Sequence, residues 1–133
     1  MYSIGDRAEI SKVFATSDVE LFADLSGDKN PIHLNSDYAA KSIFTEKIVH
    51  GFLYASLVSA VIASKLPGPG SIYLGQELKF LKPVYHNQLI TAEVVIVEIR
   101  PDRNVFILET NCYNDQGVLV LQGRATIKND RLF

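Results

Sequence analysis

One apolar stretch, residues 51–66, constrains the fold more than any other part of this chain. It carries no charged residue before Lys65, and its serines are spread among alanine, valine, leucine and isoleucine. A helix that is apolar or small on every side is a buried helix rather than a surface helix. The stretch is too short and too rich in serine for a membrane span. We therefore predict a central helix, ended by the proline and glycine residues of 67–70.

Upstream of this helix, the sequence predicts one strand and two further helices. Residues 7–14 alternate between two faces, as a strand does. Ser17 and Glu20 have the spacing of a capping box, which predicts the start of a helix, and Gly27 is placed to end it. Ser36 is expected to cap a short helix through residue 41.

Downstream of the central helix, the sequence predicts only strands. Four segments of about ten residues are separated by turn clusters, and the last alternates cleanly between apolar and polar positions. These segments are 71–81, 89–99, 104–114 and 118–128. With the first strand they make an α+β fold, in which a five-stranded antiparallel sheet wraps around the buried helix. Such a unit leaves a strand edge open, which favours a homodimer.

Length and composition limit the classes of protein to which the chain can belong. Its 133 residues predict a single domain, 1–133. A net charge of −2 gives no basic excess for a nucleic-acid partner. The only cysteine, Cys112, excludes an internal disulfide. Because the N-terminal residues lack the pattern of a signal peptide, we expect a cytoplasmic protein with no membrane segment.

A carboxylate and an imidazole stand five residues apart in the segment 28–33. Asp28 and His33 flank Asn30-Pro31, and the proline restricts Asn30 to an extended or turn conformation. Asp28 and Asn30 are also ordinary turn residues before a proline. A rigid turn beside an apolar helix, however, can direct both side chains into one partly dry cleft. The spacing therefore favours Asp28 and His33 as an acid–base pair that acts on a shared water molecule.

The helix start at Gly51 supplies a second chemical feature. The first N–H groups of a helix have no intrahelical partner, and they carry the positive end of the helix dipole. A glycine at this position lets a ligand approach the backbone closely. We therefore predict that Gly51 polarises a carbonyl oxygen and stabilises the enolate that forms when a nucleophile adds to the β-carbon.

These motifs extend over nearly the whole chain and together resemble a known family. The residues that carry the resemblance are Asp28-x-Asn30-Pro31-x-His33, Ala39, Phe44, Ile48-Val-His50-Gly51, Gly70-Ser-Ile-Tyr-Leu-Gly75-Gln76 and Phe80-x-x-Pro83-Val84. They are similar to the hydratase-2 motif of the MaoC-like dehydratases and the (R)-specific enoyl-CoA hydratases. The short chain is most similar to the stand-alone bacterial hydratases that supply (R)-3-hydroxyacyl-CoA for polyhydroxyalkanoate synthesis.

The resemblance implies a hot-dog fold, a homodimer and a role for each motif residue. Asp28 and His33 bind and activate water, with Asp28 as the base toward water and His33 assisting proton delivery to the α-carbon. The Gly51 amide binds the thioester carbonyl. Ser59 supports the polar network of the active site, and Asn30 helps to hold the loop. No cofactor is implied, because the CoA thioester is itself the substrate.

The implied reaction is reversible hydration of a short- to medium-chain trans-2-enoyl-CoA to the (R)-3-hydroxyacyl-CoA. Three alternatives stay open on the same fold: an acyl-CoA thioesterase, a 3-hydroxyacyl-carrier-protein dehydratase and a non-catalytic binder of acyl thioesters. The acid–base pair favours hydration, because adding water to an alkene needs proton transfers at two sites.

The remaining histidines and the basic residues receive plainer interpretations. His50 is interpreted as closing the turn into the helix, and His86 as an exposed turn residue. The histidines are far apart in sequence and show no metal-ligand spacing, so we predict no metal site. Basic residues available for the nucleotide end of CoA are Lys79, Lys82, Arg103 and Arg124.

Overall fold

The computed structural model describes residues 2–132 of the chain. Its strands and helices are β1 (Arg7–Val13), α1 (Thr16–Ser26), α2 (Pro31–Leu34), α3 (Ser36–Ala40), α4 (Gly51–Ser64), β2 (Ile72–Phe80), β3 (Leu89–Arg100), β4 (Val105–Tyr113) and β5 (Leu119–Lys128). Single 3-10 turns lie at Pro101–Arg103 and Asp130–Leu132. The predicted strands are all present, with ends that differ by one residue at most positions.

The five strands form one antiparallel sheet in the order β1-β3-β4-β5-β2. The sheet curls around α4, which packs against β1, β3 and β4. The buried residues of α4 are Tyr54, Ala55, Leu57, Val58, Val61 and Ile62, and they share one core with the inner face of the sheet. The apolar side chains on this broad face of α4 explain the contact, because burying them supplies the main driving force for folding. The predicted hot-dog fold is confirmed.

One face of α4 is left open by the sheet. Phe52 is 69% exposed, and residues Ser56, Ser59 and Ala60 on later turns of the same helix are also exposed. A single five-stranded sheet therefore covers only part of the helix that the sequence predicts to be buried. Within residues 2–132, no helix is both long enough and apolar enough to cross a membrane.

Two predicted helix caps are wrong by one or two residues. The N-cap of α1 is Ala15 rather than Ser17, because the Asp18 carboxylate accepts the backbone N–H of Ala15 at 2.9 Å and stabilises an earlier start, at Thr16. The helix α3 is capped by Asn35 rather than Ser36, because the Asn35 side chain accepts the N–H of Tyr38 at 3.0 Å. Gly27 ends α1 in the left-handed conformation, as predicted.

The two edges of the sheet differ in character. The outer edge of β1 is polar, and the Lys65 ammonium group donates a hydrogen bond to the Glu9 carbonyl there. The outer edge of β2 carries exposed apolar side chains, among them Ile72 and Leu74. Edge strands that are not blocked by charge or by a covering segment are prone to pair with another chain. The β2 edge is therefore the less protected of the two.

Candidate active site

A cavity of about 380 Å³ lies between the segment 28–33, the start of α4 and the segment that follows β2. Its lining includes both predicted acid–base residues, the predicted oxyanion residue and three aromatic side chains. Those residues are Asp28, His33, Gly51, Phe44, Tyr54 and Phe80. The cavity thus combines a small polar cluster with an apolar wall, the composition expected of a site for a small molecule.

The segment that bears the acid–base pair is fixed by its own hydrogen bonds. The Asp28 carboxylate accepts the Asn30 N–H at 3.3 Å, which forms a tight turn. The Asn30 side chain caps α2 by accepting the Ile32 N–H at 3.3 Å, and Pro31 occupies the first turn of that helix. The turn and the short helix therefore place His33 one turn beyond the Asp28 loop.

The start of α4 is tied to both neighbouring segments by backbone contacts. The Ile48 N–H donates to the Ile32 carbonyl at 3.2 Å, and the Val49 N–H donates to the Val84 carbonyl at 2.7 Å. The residue Ile48 also forms an isolated antiparallel bridge with Tyr85. These bonds hold the N-terminus of α4 between the acid–base segment and the chain that leaves β2.

His33 is buried, and one of its ring nitrogens is already occupied. Its side chain is part of a residue only 9% exposed, and Nδ1 lies 2.9 Å from the Ile48 carbonyl oxygen. Because a carbonyl only accepts, Nδ1 carries the proton and Nε2 of the neutral ring is an acceptor. Burial lowers the pKa of His33 below 6.5 and the His50 ring lowers it further, whereas the Ile48 carbonyl and the Asp28 carboxylate raise it. The neutral, accepting form is therefore favoured near pH 7.

Asp28 and His33 are close enough to hold one water molecule between them. One side-chain ligand atom of each lies within 4.8 Å of the other, although Asp28 itself is exposed in the single chain. Two hydrogen bonds of 2.8 Å meeting at a tetrahedral water span about 4.6 Å. A water that donates one hydrogen to each acceptor has a lone pair left to attack a third atom. The predicted pair is thus brought together in a geometry suited to activating water.

Gly51 lies at the helix start, and the space beside it is filled by Phe80. No acceptor within the described residues bonds to the Gly51 N–H. A Cβ built on Gly51 would lie 2.6 Å from the nearest Phe80 ring carbon. That ring also makes edge-on contacts with Phe52 and Tyr54, at centroid distances of 6.1 and 6.0 Å. Glycine at this position therefore lets the Phe80 ring pack against the backbone at the start of α4, where Gly51 lines the cavity.

His50 is the N-cap residue of α4, in agreement with its sequence-based interpretation, whereas His86 differs from its own interpretation. His50 lies in the site, where its ring stacks on that of His33 with centroids 3.9 Å apart. His86 is half-buried rather than exposed, and its Nδ1 lies 3.0 Å from the Thr16 hydroxyl oxygen. Burial lowers the pKa of His86, and the Lys47 ammonium group lowers it further. His33 and His50, which are distant in the sequence, are therefore in contact in the fold.

The three side chains of Asp28, His33 and His50 also form a potential ligand cluster for a metal ion, with one atom of each within 4.8 Å of the others. Imidazole binds a metal through a lone pair in the ring plane. The planes of His33 and His50 are inclined by only 27°, so their lone pairs run side by side rather than toward one point. One nitrogen of each ring is also bonded to a backbone carbonyl. The geometry favours water over a metal ion, and the metal-free site stays a prediction.

Ser59 and most of the basic residues lie outside this cavity. Ser59 is exposed on α4, eight residues after Gly51 and therefore about 12 Å along the helix. Lys82 lines the cavity, whereas Lys79 and Arg124 line a separate groove between β2 and β5. Arg103 forms an exposed ion pair with Asp102 at 3.9 Å. His50 and Phe80 belong to the motif residues, but the contacts of His50 and the packing of Phe80 on Gly51 were not predicted, because they join segments that are distant in sequence.

Comparison with known proteins decides the family of this chain. Residues 5–113 match the family described as "MaoC like domain". The chain belongs to the MaoC-like family. This match includes the acid–base segment, the whole of α4 and the strands β1 to β4.

Individual relatives of this MaoC-like chain are similar over nearly their full length. The "(R)-specific enoyl-CoA hydratase" of Aeromonas caviae is 43% identical over 94% of this chain and 93% of its own. The protein of the same description from Rhodospirillum rubrum is 42% identical over 92% of this chain and 85% of its own. The solved structure of the A. caviae (R)-hydratase "involved in PHA biosynthesis" superposes with a TM-score of 0.94 at 42% identity, over 96% of this chain and 97% of its own.

Proposed function

We propose that this MaoC-like protein is a hydro-lyase that adds water to a trans-2-enoyl-CoA to give the (R)-3-hydroxyacyl-CoA, and catalyses the reverse dehydration. One observation carries the proposal: a carboxylate oxygen of Asp28 and a ring nitrogen of His33 lie within 4.8 Å of each other, in a cavity that also contains the start of α4. The (R) configuration and the CoA carrier are proposed from the descriptions of relatives 43% and 42% identical to this chain.

The acid–base pair accounts for the proton transfers of hydration. A water that donates to the Asp28 carboxylate and to Nε2 of His33 directs its lone pair at C3 of the enoyl group. As the oxygen–C3 bond forms, the pair takes one proton from the water, and it then returns one proton to C2. We propose that Asp28 acts as the base toward water and that His33 assists delivery to C2. The product gains one hydroxyl and one hydrogen, and both side chains return to their starting state.

The start of α4 accounts for stabilisation of the intermediate. Attack at C3 moves negative charge through C2 onto the thioester oxygen, which becomes an enolate. The Gly51 N–H has no partner among the described residues, and it stands at the positive end of the helix dipole. Such a donor is typically worth about 3 kcal/mol in the transition state.

The acyl chain and the CoA are assigned to different parts of the site. The aromatic wall formed by Phe44, Tyr54 and Phe80 suits a short or medium acyl chain. Lys82 lies at the cavity, where it can pair with a phosphate of the CoA arm. No further cofactor is proposed, because the reaction has no redox step. We also propose a cytoplasmic location, in keeping with a single, buried cysteine.

We propose that the working unit is a homodimer joined along β2. The outer edge of β2 has no partner strand within the described residues. Leu74, which is 57% exposed on that edge, lies in one groove with Phe52 on the open face of α4. Pairing two copies along β2 would cover both surfaces at once. Sedimentation velocity of the wild type and of Leu74→Lys tests this: we expect a dimer that the lysine shifts toward monomer, and a wild-type monomer would contradict it.

The test of the activity uses purified protein with crotonyl-CoA. Loss of the conjugated enoyl thioester is followed in parallel with a free-thiol reagent, and the product is identified with dehydrogenases specific for each 3-hydroxy enantiomer. We expect loss of conjugation, an (R)-product and no thiol release. Thiol release would instead establish a thioesterase. Activity restricted to carrier-protein substrates would establish the carrier-protein dehydratase.

Variants connect that activity to the proposed residues. Asp28→Asn and His33→Ala are each expected to lower kcat by about 100-fold or more, because each removes one acceptor of the water. Asp24→Asn is the matched control, since it removes the same charge from an exposed carboxylate that does not line the cavity. Circular dichroism verifies that each variant is folded. Wild-type rates in either acid–base variant would refute the assignment.

A further inference from the structure

His50, the residue directly before Gly51, contacts both members of the acid–base pair. Its Nε2 lies 2.9 Å from the backbone carbonyl oxygen of Asp28, 22 residues earlier in the chain. Its ring stacks on that of His33 at 3.9 Å. The Phe22 ring contacts the other side of His50 edge-on, with centroids 4.9 Å apart. A single side chain, 1% exposed, thus contacts both the backbone of Asp28 and the ring of His33.

The two ring nitrogens of His50 have different environments. The Asp28 carbonyl only accepts, so Nε2 carries the proton and donates it. The other nitrogen, Nδ1, is buried and has no hydrogen-bond partner among the described residues. A buried acceptor without a partner is destabilising, because it loses its hydrogen bond to water on folding and gains none in return. An apolar ring would fill the same space without that cost, so packing alone does not explain a histidine here.

We propose that His50 is a positioning residue that sets the Asp28 carboxylate and the His33 ring relative to each other. The bond to the Asp28 carbonyl fixes the backbone from which the carboxylate projects. The stacking contact fixes the plane of the His33 ring, whose second anchor is the Ile48 carbonyl. Because His50 is also the cap residue of α4, the same contacts align the pair with the Gly51 N–H.

This role rests on the proposed hydratase activity and differs from direct catalysis. The Nε2–H group of His50 is used on a backbone carbonyl and Nδ1 is buried, so neither ring nitrogen is placed to exchange a proton with the substrate. Positioning acts through the distance between the two acceptors of the water. A misplacement of about 1 Å at a reacting centre can lower the rate about 100-fold. His50 is therefore expected to affect kcat far more than KM.

Three substitutions separate the two contacts of His50. His50→Phe keeps a flat ring against His33 and removes the donor. His50→Gln removes the ring and places an amide N–H at the distance of Nε2. His50→Asn is the matched control for Gln, because it carries the same amide on a side chain shorter by about 1.5 Å. Gln therefore reaches the Asp28 carbonyl and Asn does not.

We expect kcat for crotonyl-CoA hydration to fall about 10- to 100-fold in the Phe and Asn variants, with KM changed less than about threefold. The Gln variant is expected to keep about ten times more kcat than Asn at the same melting temperature. Equal rates in Gln and Asn, or a wild-type rate in Phe, would overturn the inference. So would losses that follow only the melting temperature.

A second measurement is independent of turnover. The ring signals of His33 are followed by NMR in protein labelled with 15N-histidine. We expect them to move in the Phe and Asn variants of His50, because the stacked ring or its anchor has changed, and to move less in Gln than in Asn. Signals of His33 that stay at their wild-type positions in all three variants would overturn the positioning role. An inactive wild type would instead count against the proposed hydratase activity.

Discussion

Substituting Gly51 by alanine tests the close contact between the helix start and the Phe80 ring. The added Cβ would lie 2.6, 2.9 and 3.0 Å from three carbons of that ring. Carbon atoms in contact prefer about 3.5–4.0 Å, so the ring must retreat by about 1 Å. The backbone at Gly51 is not in the left-handed region, so alanine is tolerated there apart from this contact.

The expected loss of stability is the difference between two opposing effects. Overpacking of this kind typically costs about 1–3 kcal/mol. Phe80 is 47% exposed and can move, which places the cost at the lower part of that range. Alanine is favoured over glycine within a helix by up to about 1 kcal/mol. We therefore expect Gly51→Ala to lower the free energy of unfolding by about 1 kcal/mol.

A double-mutant cycle isolates the contact. Urea unfolding is measured at one protein concentration for the wild type, Gly51→Ala, Phe80→Leu and the double variant. If Phe80 is the obstacle, the alanine substitution costs about 1 kcal/mol less when position 80 is leucine. The hydratase rate should follow the same pattern, because the displaced ring crosses the cavity beside the N–H of residue 51. Additivity within about 0.5 kcal/mol would refute the reasoning.

Three further predictions concern His33, Gly123 and Cys112, which are buried or closely packed. Because burial lowers the pKa of His33 below 6.5, the unfolded chain binds more protons than the folded chain, and the free energy of unfolding should fall as the pH drops below about 7. Urea unfolding at pH 7.5 and 5.5 should therefore show a smaller fall in His33→Phe than in the wild type, and an equal fall in the two proteins would contradict this. Gly123→Ala should cost about 2–3 kcal/mol in urea unfolding, because its Cβ would press on the Glu77 backbone carbonyl, and a wild-type midpoint would contradict this. Burial raises the pKa of Cys112 to about 12, so the thiol should react with a disulfide reagent only after denaturation, and rapid native labelling would contradict this.

Much of the fold could be predicted because it depends on local pattern. The apolar stretch 51–66 predicts α4, and the alternation of residues 118–128 predicts β5. In both cases the spacing of the apolar residues along the sequence shows which positions are buried. The helix caps were less predictable. Ser36 and Asn35 are equally good cap residues, and the choice depends on which side chain the end of α2 leaves free.

The candidate site was likewise predictable only in part. Asp28 and His33 are five residues apart across a proline, so a local turn was enough to predict that they meet. His50 and Phe80 reach the cavity through contacts between segments distant in sequence. Their places depend on how the sheet curls, which no single segment specifies. Ser59 stays a prediction, because the face of α4 that bears it is open in the single chain.

The position of β2 in the sheet has a consequence for synthesis of the chain on the ribosome. Within residues 2–132 of one chain, β2 pairs only with β5, which begins at Leu119, about 40 residues after β2 ends at Phe80. At roughly 5–20 residues per second, an apolar strand therefore waits about 2–8 seconds with both edges unpaired. During that interval, neighbouring nascent chains and chaperones compete for the same edge. Substitutions that weaken β5 should therefore lower the yield of folded protein in cells by more than their effect on the melting temperature alone would suggest.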